Sequence, residues 1–88
     1  MNLKRKRVEF KILAPKAKHV LLSGNFNNWS SNSDPMKRNR GGTWIKIKQL
    51  PKGTYEYKFI VDGQWLIDPD NYDTVQNQHG TTNSVIVV

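Results

Sequence analysis

The chain has 88 residues, which is enough for one small domain but excludes a cleft between two domains. Hydrophobic residues make up 36% of it, with three Trp, three Tyr and three Phe, and this composition argues against disorder. The sequence has no Cys, which excludes a disulfide, a thiolate metal site and a cysteine nucleophile.

The formal net charge is +7, and four of the basic residues are consecutive, in Lys4-Arg5-Lys6-Arg7. We interpret residues 1–7 as a solvated basic tail and residues 8–88 as one β domain. The alternative is that the basic run contacts nucleic acid or an acidic surface, or is a nuclear address. No apolar stretch approaches membrane-spanning length and the first residues lack an apolar signal core, so we expect a cytoplasmic protein that does not enter a membrane.

Alternating apolar and polar residues indicate short strands, and no segment of useful length has helical periodicity. Two long polar stretches, 24–40 and 70–82, are expected to be loops, and Asp62-Gly63 is a strong hairpin signal. Six or seven short strands separated by turns predict an all-β sandwich or a small barrel. The predicted strands are 7–13, 19–23, 44–48, 55–62, 65–67 and 84–88.

The sequence contains no evident catalytic or metal-binding arrangement. Asp68, Asp70 and Asp73 fall in one loop, whereas paired hydrolytic carboxylates face each other across a cleft. This loop lacks the central Gly and the terminal Glu of a calcium loop, so we interpret its aspartates as turn-forming residues. His19 and His79 have no His or Cys companion. We therefore expect neither an enzyme nor a cofactor or metal site.

The residues favour a binding surface for sugars. If Tyr57 enters the core, alternation turns Lys58 outward, and Trp65 begins the next strand after a tight turn. Trp29 lies in an Asn-rich loop where few apolar neighbours would cover it, and Asn83 opens the last strand. Indole faces cover the apolar C–H patches of a pyranose, and ammonium and amide groups bond its hydroxyls.

Each of these residues also has a simpler interpretation. Lys58 can be an ordinary outward strand residue, and Trp65 can be a core residue near the sheet edge. Asn83 can be a turn residue that satisfies backbone groups. Trp44 is best explained as a strand residue filling the core.

Three ordered motifs give the chain a family resemblance. The runs Val20–Trp29 (VLLSGNFNNW), Leu50–Trp65 (LPKGTYEYKFIVDGQW) with Asp68-Pro69, and Gly80–Val85 (GTTNSV) resemble the glycogen-binding domain of AMP-activated protein kinase β subunits. The wider group is carbohydrate-binding module family 48. The resemblance spans 8–88 and implies an immunoglobulin-like β-sandwich of six to eight mostly antiparallel strands.

The resemblance also implies a ligand and a set of contacts. The ligand is an α-1,4-linked glucan such as glycogen, starch, a maltooligosaccharide or cyclodextrin. The implied sugar-contacting residues are Trp29, Lys58, Trp65 and Asn83. Kinase-type domains place a bulky apolar residue at the position of His79, so we expect this imidazole to pack on a sugar with a pH-dependent charge.

Two other functions compete with glucan binding. The first is a structural or docking β-sandwich in an α-glucan-active enzyme or kinase complex. In that case a catalytic domain or kinase subunits would cover Trp29 or Trp65, and the domain would bind no sugar of its own. The second is a nucleic-acid-binding β-domain, which would string Lys and Arg along the Trp face. The densest charges of this chain are terminal, which disfavours nucleic acid as a partner.

Overall fold

The structure, a computed structural model, describes residues 4–88. Two antiparallel sheets pack face to face, which confirms the all-β sandwich. The described strands are β1 (Arg5–Leu13), β2 (Val20–Gly24), β3 (Lys37–Arg38), β4 (Thr43–Pro51), β5 (Thr54–Val61), β6 (Gln64–Leu66), β7 (Thr74–Gln76) and β8 (Thr82–Val87). In this part of the chain, one turn of 3-10 helix (Asn25–Asn27) follows β2, and no helix is long and apolar enough to cross a membrane.

Strand β5 organises the larger sheet, which we call sheet B. One edge of β5 pairs with β2, and its other edge pairs first with β8 and then with β6, while β7 extends the sheet beyond β8. The smaller sheet A has the order β1-β4-β3. Both sheets contribute one inner face to the core and keep one outer face, so each can present residues to solvent.

The core is built from aromatic and aliphatic side chains that alternate along the strands. Phe10 of β1 meets Tyr57 of β5 edge to face, with ring centroids 4.9 Å apart. Trp44 is buried, as expected, and its indole N–H donates to the carbonyl oxygen of Ala14 at 2.8 Å. These contacts fix the phase of β1, β4 and β5, and hence which residues face outward.

The N-terminal boundary differs from the expectation of a tail over residues 1–7. Strand β1 begins at Arg5, and its first residues pair with the end of β4, Arg5 opposite Pro51 and Arg7 opposite Gln49. The side chains of Arg5 and Arg7 are exposed. Residues 1–3 of the expected tail lie outside the described part of the chain. The backbone pairing available from the long strand β4 explains the earlier start.

The two predicted loops contain more structure than their polar composition suggests. In the first, Pro35 forms an isolated bridge with Leu21, and β3 then joins sheet A. In the second, the short strand β7 pairs with β8. Asp68 Oδ1 accepts from the backbone N–H of Asp70 at 2.9 Å, which confirms the turn-forming interpretation of Asp68.

Candidate functional site

The outer face of β5 supplies the centre of the candidate site. Tyr57 and Phe59 are buried in the core, so the intervening Lys58 points to the other face. Glu56 precedes Lys58 by two residues and shares this outer face. The Lys58 ammonium donates to Thr81 Oγ1 at 3.3 Å, which holds it towards the loop between β7 and β8.

Trp65 stands on the same outer face because the hairpin turn fixes its register. Asp62 and Gly63 have φ values of 47° and 86°, as a type I′ turn requires at its two central residues. The turn places Trp65 directly opposite Ile60. Trp65 is 47% exposed, so its indole is available to a ligand although the residue belongs to a strand.

Trp29 reaches the site from the loop after β2. A Cβ on Gly24 would lie 2.5 Å from the carbonyl oxygen of Glu56, so only glycine lets this loop approach β5 so closely. The loop then turns sharply, and the Trp29 N–H donates back to the Gly24 carbonyl at 2.8 Å. Asn28 and Trp29 both have a left-handed backbone conformation, with φ of 56° and 57°.

The backbone of Trp29 is strained, and this strain is itself informative. A bulky residue at positive φ is a true outlier, and such a conformation costs about 1–3 kcal/mol. Trp29 is half-buried, although few apolar neighbours were expected to cover it in its polar loop. The strained residue is one whose side chain lines the candidate site.

The tip of the β7–β8 hairpin closes another side of the site, and Asn77 organises it. Asn77 Oδ1 accepts from the backbone N–H groups of His79 and Thr81 at 2.9 and 3.2 Å. Its Nδ2 donates to Thr81 Oγ1 at 2.6 Å. His79 is exposed at this tip, so its ring can meet a ligand while its backbone is held.

Asn83 is less available than the sequence suggested. Only 4% of this residue is exposed, and its amide is already engaged, accepting from Asn77 Nδ2 at 3.1 Å and donating to Glu56 Oε1 at 3.0 Å. A carboxamide has two N–H donors and two acceptor lone pairs, so one of each remains for a ligand. Asn83 therefore also positions the Glu56 carboxylate.

These side chains meet at a single surface cavity of about 730 Å³. All five residues singled out from the sequence contribute to its wall, namely Trp29, Lys58, Trp65, His79 and Asn83. Sequence reasoning missed the other five lining residues, which are Asn25, Glu56, Gln76, Asn77 and Gln78. Glu56 had a usable signal, because it shares the outward phase of Lys58; the others lie in polar stretches without periodicity.

The wall of the cavity combines two indoles with many neutral hydrogen-bonding groups. Among the described residues that line it, Glu56 carries the only carboxylate and Lys58 the only ammonium, so these two charges cancel. Within residues 4–88, no lining residue belongs to sheet A, where Arg5, Arg7 and Lys11 lie. The arrangement suits a neutral, polyhydroxylated ligand with apolar faces far better than a polyanion.

Comparison with known proteins agrees with this geometry. A family described as the glycogen recognition site of AMP-activated protein kinase matches residues 7–88. Since this match covers nearly the whole chain, the protein belongs to that family of carbohydrate-binding modules.

Individual relatives support the same assignment. The chain is 46% identical over 71 residues to the kinase subunit beta-1 of Sus scrofa, a match that covers 81% of this chain and 55% of the pig sequence. It is 48% identical to subunit beta-1 of Bos taurus and 44% identical to subunit beta-2 of Mus musculus, in each case over 81% of this chain and 25% of the relative. The chain thus spans about half of the pig sequence and a quarter of the other two.

Proposed function

We propose that this protein is a non-catalytic module that binds α-1,4-linked glucans through the cavity on sheet B. Trp29 and Trp65 stack on successive glucose rings, and Lys58 donates to their hydroxyls. Glu56 accepts from hydroxyls, Asn83 contributes its free donor and acceptor, and His79 packs from the hairpin tip. The observation that carries the proposal is that both indoles line one cavity with a carboxylate and an ammonium on the same wall.

The test is an isothermal titration of the protein with maltoheptaose and β-cyclodextrin, with cellohexaose as the β-linked control. We expect micromolar to millimolar affinity for the two α-linked ligands, quenching of Trp fluorescence, and no measurable binding of cellohexaose. Indifference to all three sugars would overturn the proposal.

A second titration separates this function from nucleic-acid binding. Contacts with phosphates release counterions, so they weaken steeply as salt rises, whereas stacking on a neutral sugar does not. We expect the affinity for maltoheptaose to stay within about twofold between 50 and 500 mM NaCl. Binding of single-stranded DNA without binding of maltodextrin would favour the nucleic-acid alternative.

We also propose that the module associates with kinase subunits in the cytoplasm. The similarity to beta-1 and beta-2 subunits of AMP-activated protein kinase supports this partner, and the absence of Cys fits a reducing compartment. Recovery of kinase catalytic subunits with the tagged protein from cytosolic extract is the expected result. If an unrelated tagged β-sandwich protein recovers the same amount of kinase subunits, this association is disproved. Glucan binding is tested separately by the sugar titration.

A further inference from the structure

The side chain of Asn27 fixes the backbone on both sides of Trp29. Its Oδ1 accepts from the N–H of Gly24 at 3.1 Å and from the N–H of Ser30 at 3.2 Å. Its Nδ2 donates to the carbonyl oxygen of Leu22 at 3.1 Å. One carboxamide therefore ties the loop that carries Trp29 to strand β2.

Asn27 is in turn held by a buried carboxylate. Its Nδ2 donates to Asp34 Oδ2 at 2.7 Å, and Asp34 is only 7% exposed. The Asp34 carbonyl oxygen also accepts from the N–H of Leu22 at 2.9 Å, so its own backbone is fixed along β2. The backbone of Asp34 thus cannot move away from Asn27 without breaking main-chain pairing.

The charge of Asp34 is compensated from the opposite sheet. Lys48 Nζ, on the inward face of β4, lies 3.0 and 2.9 Å from the two carboxylate oxygens, and Lys46 Nζ lies 3.8 Å from Oδ1. The Lys48 ammonium also stands 5.2 Å from the ring centroid of Phe26, within the 3-10 turn. A partly buried lysine of sheet A is therefore aimed at the loop of sheet B that carries Trp29.

We propose that Lys48, Asp34 and Asn27 form a positioning chain that holds Trp29 in its left-handed conformation, and so holds its indole at the cavity. The reason is that two consecutive left-handed residues persist only where their surroundings fix them. Asn27 bonds the backbone immediately around them, Asp34 holds the Asn27 carboxamide, and Lys48 holds the Asp34 carboxylate. The consequence for sugar affinity rests on the proposed function, whereas the conformational part does not.

A test of the conformational part needs no sugar. Amide hydrogen exchange is measured by NMR in the wild type, in Asp34→Asn and in Lys48→Met. We expect the amides of Trp29 and Ser30 to exchange about tenfold faster in both variants. The amides of Asp62 and Val85, which donate to the carbonyl oxygens of His19 and Asp73, serve as reference sites. Their exchange rates should change only as much as the loss of global stability explains.

Three variants separate positioning from general stability. Lys48→Arg keeps the cation and is expected to retain the slow exchange at Trp29. Tyr57→Phe removes a hydroxyl bonded to Asp68 and Asn71, away from this loop, and is expected to lower the melting temperature without selective loss at Trp29. Asn27→Ala removes the carboxamide itself and should reproduce the exchange of Asp34→Asn.

The functional part is a double-mutant cycle. In the wild-type background, Asp34→Asn should weaken maltoheptaose binding about fivefold. In the Trp29→Ala background, adding Asp34→Asn should leave the residual affinity unchanged. NMR titration measures the affinity in each case. Equal weakening in both backgrounds would show that Asp34 does not act through Trp29.

The remaining outcomes also decide the matter. Two results overturn the positioning chain. In the first, the Trp29 amide of Asp34→Asn exchanges at the wild-type rate. In the second, the exchange at Trp29 and at Val85 accelerates by the same factor. If the wild type binds no maltodextrin, the proposed function fails, and the exchange measurement still decides whether the chain holds Trp29.

Discussion

Trp65 lies directly opposite Ile60 in the β5–β6 pair, so its indole stands on the face that carries Lys58. Since the indole is about half exposed and β6 is a short strand at an edge, Trp65→Ala should weaken maltoheptaose binding more than tenfold, equivalent to about 1.4 kcal/mol or more. We expect a small change in melting temperature. Isothermal titration and a thermal melt measure the two effects.

A matched control exists in Tyr72, an aromatic residue that is 92% exposed and does not line the cavity. Tyr72→Ala should leave the affinity for maltoheptaose unchanged. A similar loss in both variants would mean that exposed aromatic surface in general, and not the cavity, binds the sugar.

The left-handed backbone of Trp29 predicts an unusual ranking of two small substitutions. Both Trp29→Ala and Trp29→Gly remove the indole and should weaken glucan binding alike. Glycine accepts positive φ without strain, so the free energy of unfolding of Trp29→Gly should exceed that of Trp29→Ala by about 1 kcal/mol. Urea denaturation of the two variants measures the difference.

The same pair of substitutions at Trp65 is the control. Trp65 lies in a strand, where glycine is less stable than alanine by about 0.5–1 kcal/mol. The order of stabilities should therefore be reversed. The same order at both positions would contradict the left-handed conformation of Trp29.

Glu56 is predicted to accept hydrogen bonds from sugar hydroxyls. Glu56→Gln keeps an oxygen for Asn83 but replaces the second acceptor by a donor, so affinity for maltoheptaose should fall about tenfold. Glu9→Gln, on the outer face of β1 in sheet A, is the matched control and should bind like the wild type. Unchanged affinity in Glu56→Gln would limit Glu56 to holding Asn83.

The carboxylate of Asp34 gives a prediction for stability as a function of pH. Burial alone would raise its pKa, but the hydrogen bonds from Asn27 and Lys48, with the charges of Lys48 and Lys46, outweigh burial and lower the pKa below 3.8. A lowered pKa contributes stability above the ordinary pKa and loses it as pH falls through the folded-state pKa. The free energy of unfolding of the wild type should exceed that of Asp34→Asn by about 2 kcal/mol near neutral pH. The difference should begin to shrink as pH falls below about 4, and it should close only below the folded-state pKa.

Urea unfolding at a series of pH values measures this difference, with Asp70→Asn, an exposed position, as the control that should show little difference at any pH. A constant gap between wild type and Asp34→Asn down to strongly acid pH would disprove the contribution of the ionised carboxylate.

The sequence could predict the parts of the site that depend on strand phase. Alternation in β5 correctly separated Lys58 from Tyr57 and Phe59, and the turn at Asp62-Gly63 correctly started the strand that carries Trp65. Both features are local, because a strand has a period of two residues and this turn has few backbone solutions.

Other features depend on contacts that are distant in sequence. The phase of β4 is ambiguous in the sequence, because Ile45 and Ile47 alternate with Trp44. Lys48 shares the inner face with Trp44, and Asp34 from the first polar stretch compensates its charge there. Strand β7 has three exposed residues and no alternation, so only its pairing with β8 defines it. Nothing in the sequence indicates that Asn83 bonds Glu56 and Asn77, which take one of its donors and one of its acceptors.

Alternate side chains along the eight residues of β5 form two surfaces, one that packs in the core and one that carries the candidate site. Inserting or deleting one residue in this strand would turn Tyr57 and Phe59 towards water and drive Lys58 into the interior. Loss of folding and loss of ligand contact would then occur together, so β5 can change by substitution but not by length. Lengthening of the chain is tolerated better in the turn segments between strands, where it alters the rim of the cavity and leaves the alternation intact.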